Sequence, residues 1–309
     1  MNCAKHTPSD DGLIKIFGFS PASAPGKGGS WLDFYSNQTH WTPSRFAHSK
    51  YHGFASSDSD RLSELVEILD QSALMMATRG GWGSLRLLKE LEFSMNWTGK
   101  LMGFSDITAL LNTLPFHSQV SCFHGPMYEF PNKIHKGGFL ARSFEDFFLL
   151  NRKTTTGSFR GKIRGASRLE GALIGGNLSV LLALAGTRFM PDLEGKLLFL
   201  EEIKEPTYRV DRMLTQLSYL PGFQLLNGII IGGFTQCVPS PLDSGDFSML
   251  ELIDDFYLRT RIPILEGAPI GHLDDFLILP MMGKSDWIED SGKIYYSLTI
   301  PRPVGQCHG

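Results

Sequence analysis

Ser105 stands in Gly103-Phe104-Ser105-Asp106-Ile107-Thr108, directly after the apolar run Lys100-Leu101-Met102 and before Ala109-Leu110-Leu111, which reads as a helix. A serine on such a strand-to-helix turn can act as a nucleophile, because the turn exposes its hydroxyl while backbone N–H groups at the helix start face a developing oxyanion. The match to the G-x-S-x-G elbow pattern is partial, since Ile107 stands where that pattern has its second glycine. Taken alone, the same segment also reads as a helix N-cap, the commonest use of serine or aspartate at a helix start.

A serine nucleophile needs a base to take its proton and an acceptor to orient that base. Among the nine histidines, His272 is best placed, in Gly271-His272-Leu273-Asp274-Asp275, and His124 in Phe123-His124-Gly125-Pro126 is second. Glu201 and Glu202 close the apolar run Leu197-Leu198-Phe199-Leu200. Alternation along a strand lets only one of these two carboxylates face a given side of a sheet. Each group has an ordinary alternative: His272 as a turn histidine, the glutamate pair as a solvated strand end. No H-E-x-x-H or comparable ligand cluster appears, so no metal and no cofactor is expected.

The elements that must position these groups read as α/β. In the first half, apolar runs (13–19, 73–78, 100–102) alternate with helical ones (60–69, 84–91, and the run after Ser105). The turn Arg79-Gly80-Gly81-Trp82-Gly83 and the Ser105 turn both follow strands, at the sheet edge where α/β proteins bind ligands. The aromatic-rich stretch from Gly26 to Gly53 reads as a functional loop. Periodicity then fades between about Asn132 and Arg168. This divides the chain into a Rossmann-like or flavodoxin-like sheet domain over 1–131, a junction over 132–168, and an α/β domain with mixed strands over 169–309. In the last of these, strands are expected over 171–174, 196–201, 223–234, 263–265 and 276–279, a tight turn at Gly175-Gly176, and an amphipathic helix over 207–220.

Composition narrows the partners. With 42% hydrophobic residues, 20% charged and a net charge of -3, the chain is globular and lacks the basic surplus of a nucleic-acid coat. Met1 to His6 carries no apolar leader, and no run is long enough to span a bilayer, so the default location is cytoplasmic, away from membranes. Cys3, Cys122, Cys237 and Cys307 are too scattered for a disulfide framework or a zinc knuckle and read as thiols.

Several segments in order resemble the LD-carboxypeptidase (muramoyltetrapeptide carboxypeptidase) family of serine peptidases, which includes the microcin C self-immunity peptidases. They are Thr78-Arg79-Gly80-Gly81-Trp82-Gly83-Ser84, the Ser105 turn, His124-Gly125-Pro126-Met127, Gly175-Gly176-Asn177-Leu178-Ser179, Phe199-Leu200-Glu201-Glu202, Tyr208-Arg209-Val210-Asp211-Arg212-Met213 and Gly271-His272. The resemblance implies a Ser-Glu-His triad of Ser105, Glu201 and His272 in a cleft between two domains. The implied activity is release of the terminal D-alanine from murein tetrapeptide in peptidoglycan recycling, by a homodimer. Cleavage of a peptidyl or aminoacyl nucleotide toxin is the alternative activity, and a non-catalytic binding protein on the same fold a third. With that chemistry, the N–H groups of Gly81 and Asp106 are the expected oxyanion donors. Arg79 is either the receptor for the substrate's terminal carboxylate or a member of a structural ion pair. The chain departs from the family at Leu279-Pro280-Met281-Met282-Gly283, which has an added methionine, and over 127–168, which matches little.

Overall fold

The computed structural model describes residues 13–24, 30–69, 73–91, 93–94, 96–129, 134–240 and 247–301. The expectations for Met1 to His6, Cys3 and Cys307 lie outside the described residues.

In chain order the first half carries β1 (Ile14–Phe19), β2 (Thr39–Thr42), α1 (Asp58–Leu69), β3 (Leu74–Ala77), α2 (Ser84–Leu87), β4 (Lys100–Gly103), a 3-10 turn (Ser105–Ile107), α3 (Thr108–Leu111), α4 (Leu114–His117) and β5 (Ser121–His124). The second half carries α5 (Phe139–Phe144), β6 (Thr154–Arg160), β7 (Lys162–Arg164), β8 (Arg168–Asn177), α6 (Leu178–Leu182), β9 (Lys196–Ile203), α7 (Thr207–Ser218), β10 (Gly228–Thr235), α8 (Met249–Thr260), β11 (Ile264–Glu266), β12 (Leu279–Pro280), β13 (Lys284–Asp290) and β14 (Lys293–Thr299).

They form two sheets, ordered β12-β5-β4-β3-β1-β2 and β6-β14-β13-β8-β9-β10-β11-β7. Strands β1 to β5 pair in parallel, and β12 closes that sheet antiparallel to β5. In the second sheet β8 to β11 are parallel and the flanking strands antiparallel. Central strands are buried on both faces, so Leu74-Met75-Met76-Ala77 reads as an unbroken apolar run. The expected α/β architecture with a second, mixed sheet is therefore found.

Several boundaries differ from the sequence reading. Residues 154–164, expected in the junction, are β6 and β7 at opposite ends of the second sheet. Their Thr-rich sequence reflects edge strands, where one flank of the backbone lacks a partner and polar side chains are tolerated. The supposed functional loop after Gly26 holds a 3-10 turn (Trp31–Tyr35) and the edge strand β2. Gly175 and Gly176 lie inside β8, which runs on to Asn177, instead of forming a turn. The run 223–234 opens as a 3-10 turn before β10, and 276–279 contributes only the two-residue β12. That short strand carries residues from the C-terminal half back into the first sheet, beside His124.

Candidate active site

Ser105 begins the 3-10 turn after β4 with φ 58, the left-handed region that a non-glycine residue adopts at a cost of about 1–2 kcal/mol. The turn is held by its neighbours. A Cβ on Gly103 would lie 2.9 Å from the Ile107 side chain, so glycine at 103 makes room for the fully buried Ile107. The Asp106 carboxylate accepts from the Ser84 backbone N–H at 2.8 Å, and the Ser84 hydroxyl donates back to the Asp106 carbonyl. This exchange ties the serine turn to the glycine-rich loop that precedes α2. Burial pushes the Asp106 carboxyl above its usual range, and the hydrogen bonds from Ser84 oppose that rise.

The strands β3 and β4 pair in parallel with Met76 opposite Met102, so the loops beyond their ends lie side by side. As a result Gly80 faces the serine: a Cβ there would sit 3.1 Å from both Ser105 Cβ and Oγ. Gly81, with φ +105, instead backs against Ser23. Arg61 of α1, almost fully buried, donates to the carbonyls of Pro21 and Gly83 and so braces the far side of the same loop.

From the second sheet, β9 brings Glu201 and Glu202 to opposite faces, both buried, at 0% and 2% exposed. The solvated strand-end alternative does not hold. Glu202 accepts from Asn177 Nδ2 (2.7 Å) and from the backbone N–H groups of Ser179 (2.9 Å) and Ile203 (2.9 Å), a structural role at the start of α6. Glu201 Oε2 lies 2.6 Å from His272 Nδ1. Their close approach depends on Gly271, at φ +94, because a Cβ there would lie 2.8 Å from Glu201 Oε2. The His272 backbone is pinned by Thr235, whose hydroxyl donates to its carbonyl at 2.8 Å. The next turn is fixed by Asp275, which accepts from Phe139 N and Leu140 N and caps α5.

Phe104, the residue before Ser105, packs its ring 4.7 Å from that of His272. Across the domain boundary, the Asn112 side chain bonds the Gly175 backbone at both ends, donating to its carbonyl (2.8 Å) and accepting from its N–H (3.0 Å). Thr108 Oγ1 accepts from Asn177 N at 3.0 Å. The helix that follows the serine is thereby locked to the strand beside Glu201.

Residues 28–125 match the LD-carboxypeptidase N-terminal domain and residues 170–286 the LD-carboxypeptidase C-terminal domain. The probable murein peptide carboxypeptidase of Bacillus subtilis is 31% identical over 241 residues, 76% of this chain and 75% of the relative. The chain belongs to the LD-carboxypeptidase family. By that membership it is a serine carboxypeptidase. The crystal structure of muramoyltetrapeptide carboxypeptidase from Oxalobacter formigenes superposes with a TM-score of 0.79 at 27% identity, covering 93% of this chain and all of that one. The microcin C7 self-immunity protein of Escherichia coli is 24% identical over 257 residues, 72% of this chain and 73% of that protein.

In this LD-carboxypeptidase the remaining expected site residues fall as follows. Asp106 and Gly81 lie on the two loops flanking Ser105. Arg79 is exposed, donates at 3.4 Å to the Ala24 carbonyl and has no carboxylate partner among the described residues, so the ion-pair alternative finds no support. A cavity of about 290 Å³ opens beside Asp106 between the two halves, lined by Trp82, Leu85, Arg86, Ser179 and Val180. The sequence reading placed Gly80 in the turn at the ligand-binding edge without its contact to Ser105, and it missed Asn112 and Arg61, which act through contacts 63 and 22 or 40 residues away in the chain.

Proposed function

We propose that this enzyme hydrolyses the L,D-amide bond to the terminal D-alanine of murein tetrapeptide, as a cytoplasmic step of peptidoglycan recycling, with Ser105, Glu201 and His272 as its triad. The observation that carries the reading is the 2.6 Å contact of buried Glu201 with His272 Nδ1, next to a serine held at φ 58. Glu201 fixes the imidazole with its Nδ1 protonated, leaving Nε2 free to take the serine proton. Ser105 Oγ then bonds to the substrate carbonyl carbon. His272 passes the proton to the leaving amine as the C–N bond breaks, and water returns through the same steps to release the acyl group. The N–H groups of Asp106 and Gly81 stabilise the oxyanion, and Arg79, without a carboxylate partner among the described residues, receives the terminal carboxylate in a two-pronged contact.

A second reading, cleavage of an aminoacyl nucleotide, is supported by Trp82, which is 56% exposed beside the glycine loop and offers a face for a nucleobase. Incubation with murein tetrapeptide and, separately, with an aminoacyl sulfamoyl adenylate, followed by mass spectrometry, tests the choice. Release of D-alanine from the peptide is expected; cleavage of the nucleotide conjugate alone would replace the first reading with the second.

A further inference from the structure

The glycine-rich loop 80–84 is held from several sides. Ser23, beyond the end of β1, donates its backbone N–H to the Gly80 carbonyl at 3.3 Å and accepts from Trp82 N on its hydroxyl at 3.3 Å. Arg61 takes the Gly83 carbonyl at 3.2 Å. These bonds fix the loop to α1 and to the segment after β1. Asp106 supplies the hold that reaches the serine turn. Its carboxylate accepts from Ser84 N at 2.8 Å and interacts with the Gly83 N–H, while its carbonyl accepts from the Ser84 hydroxyl. Both partners are buried, Ser84 at 0% and Asp106 at 5% exposed. Ser84 opens α2, and Gly83 before it has no side chain with which to cap that helix. A residue that could cap locally does not fit, because a Cβ on Gly83 would lie 2.9 Å from Arg61 Nη1. The helix start is served instead by a carboxylate whose own backbone N–H is one of the two oxyanion donors read above. The other donor, Gly81, lies two residues before Gly83.

We propose that the Asp106 side chain is a positioning group for acyl transfer: by gripping Ser84 through its carboxylate and its carbonyl, Asp106 sets the spacing between its own N–H and that of Gly81, and so the width of the oxyanion hole. The inference rests on the reading of Ser105 as nucleophile with those two donors. It extends that reading by giving the carboxylate a part in the rate. Oxyanion donors act from about 2.7–3.1 Å, and a misplacement of about 1 Å costs roughly 10²-fold.

The test uses a fluorophosphonate, which needs an activated serine but no particular peptide. Serine oxygen bonds to phosphorus, fluoride leaves and the proton passes to His272, while charge builds on the phosphoryl oxygen that the two N–H groups would face. Labelling of the full chain is followed by mass spectrometry and resolved into the binding constant KI and the limiting rate kinact. The natural protein, Asp106→Ala, Asp106→Asn and Ser84→Ala are compared, with thermal unfolding alongside. Asp106→Ala is expected to lose about 10- to 100-fold in kinact, with KI within a few fold. Asp106→Asn keeps an oxygen for the Ser84 N–H and is expected to recover most of that loss. Ser84→Ala loses the hydroxyl bond alone and should slow several-fold. Natural kinact in Asp106→Ala, whatever its unfolding midpoint, would make the grip purely structural and overturn the inference with the triad standing. Equal slowing in Asp106→Asn and Asp106→Ala, or slowing carried by KI, would overturn it too. Should Asp106→Ala fail to fold, Ser84→Ala decides: slower kinact at unchanged KI supports the inference, and natural kinact overturns it. No labelling of Ser105 in the natural protein would remove the nucleophile and this inference together.

Discussion

Adjacent carboxylates with opposite duties give the most direct test at the residue scale. Glu201→Gln loses the acceptor that selects the imidazole tautomer, and kcat should fall by about 10⁴ with the fold retained. Glu202→Gln touches no reacting group but weakens the bonds to Asn177, Ser179 and Ile203. It should lower the unfolding midpoint and leave kcat within a few fold, as calorimetry and steady-state rates would report. His124 adds a pH dependence. Its folded pKa of about 3 lies below the ordinary 6.5, so between these values the unfolded chain binds a proton that the native one does not. Stability is therefore intact above about pH 6.5 and is lost as pH falls toward 3. Thermal midpoints measured across that window should drop less steeply for His124→Phe than for the natural protein. Residue types were the most legible part of the candidate site: Ser105 follows an apolar strand, His272 sits beside a glycine, and Glu201 and Glu202 together close another apolar run. The choice between Glu201 and Glu202 was not legible, because alternation separates two faces without saying which faces the histidine.

At the scale of elements, the site depends on neighbouring loops and on one cross-domain clasp. Gly80→Ala places a methyl 3.1 Å from Ser105 Cβ and Oγ, where the serine or the loop must yield. The expected outcome is a fall in kcat of about tenfold or more with little change in unfolding midpoint, since displacement of a reacting group by a fraction of an ångström misaligns attack. Asn112→Ala strands both polar groups of Gly175 and should cost about 1–3 kcal/mol in urea or thermal unfolding. Neither contact announces itself in the sequence. Gly80 reaches the serine only because β3 and β4 are parallel neighbours, and Asn112 finds Gly175 across 63 residues. The strands β6 and β7 were read as junction for a related reason: Thr154-Thr155-Thr156-Gly157 and Lys162-Ile163-Arg164 have the polarity of loops, and only pairing with β14 and β11 makes them strands. Strands buried on both faces, such as β3 and β9, were legible because burial writes itself as an unbroken apolar run.

Across the whole molecule, Ser105 follows a strand of the first sheet, Glu201 lies on β9 of the second, and His272 lies in the turn between β11 of the second and β12 of the first, so the proposed triad requires the two halves to be held in register. Three links do this: Asn112 to Gly175, Thr108 to Asn177, and the return of β12 to pair with β5 beside His124. The last explains why a domain boundary drawn from composition does not follow the chain, since residues 279–280 belong to the first sheet. The central claim is that Ser105, served from across this boundary, is the nucleophile of amide hydrolysis. Its most direct test is the release of D-alanine from murein tetrapeptide by the natural protein and by Ser105→Ala, with circular dichroism confirming that both are folded. Steady release by the natural protein and a loss of at least about 10³-fold in Ser105→Ala are expected. Release by a folded Ser105→Ala at near-natural rate would contradict the claim.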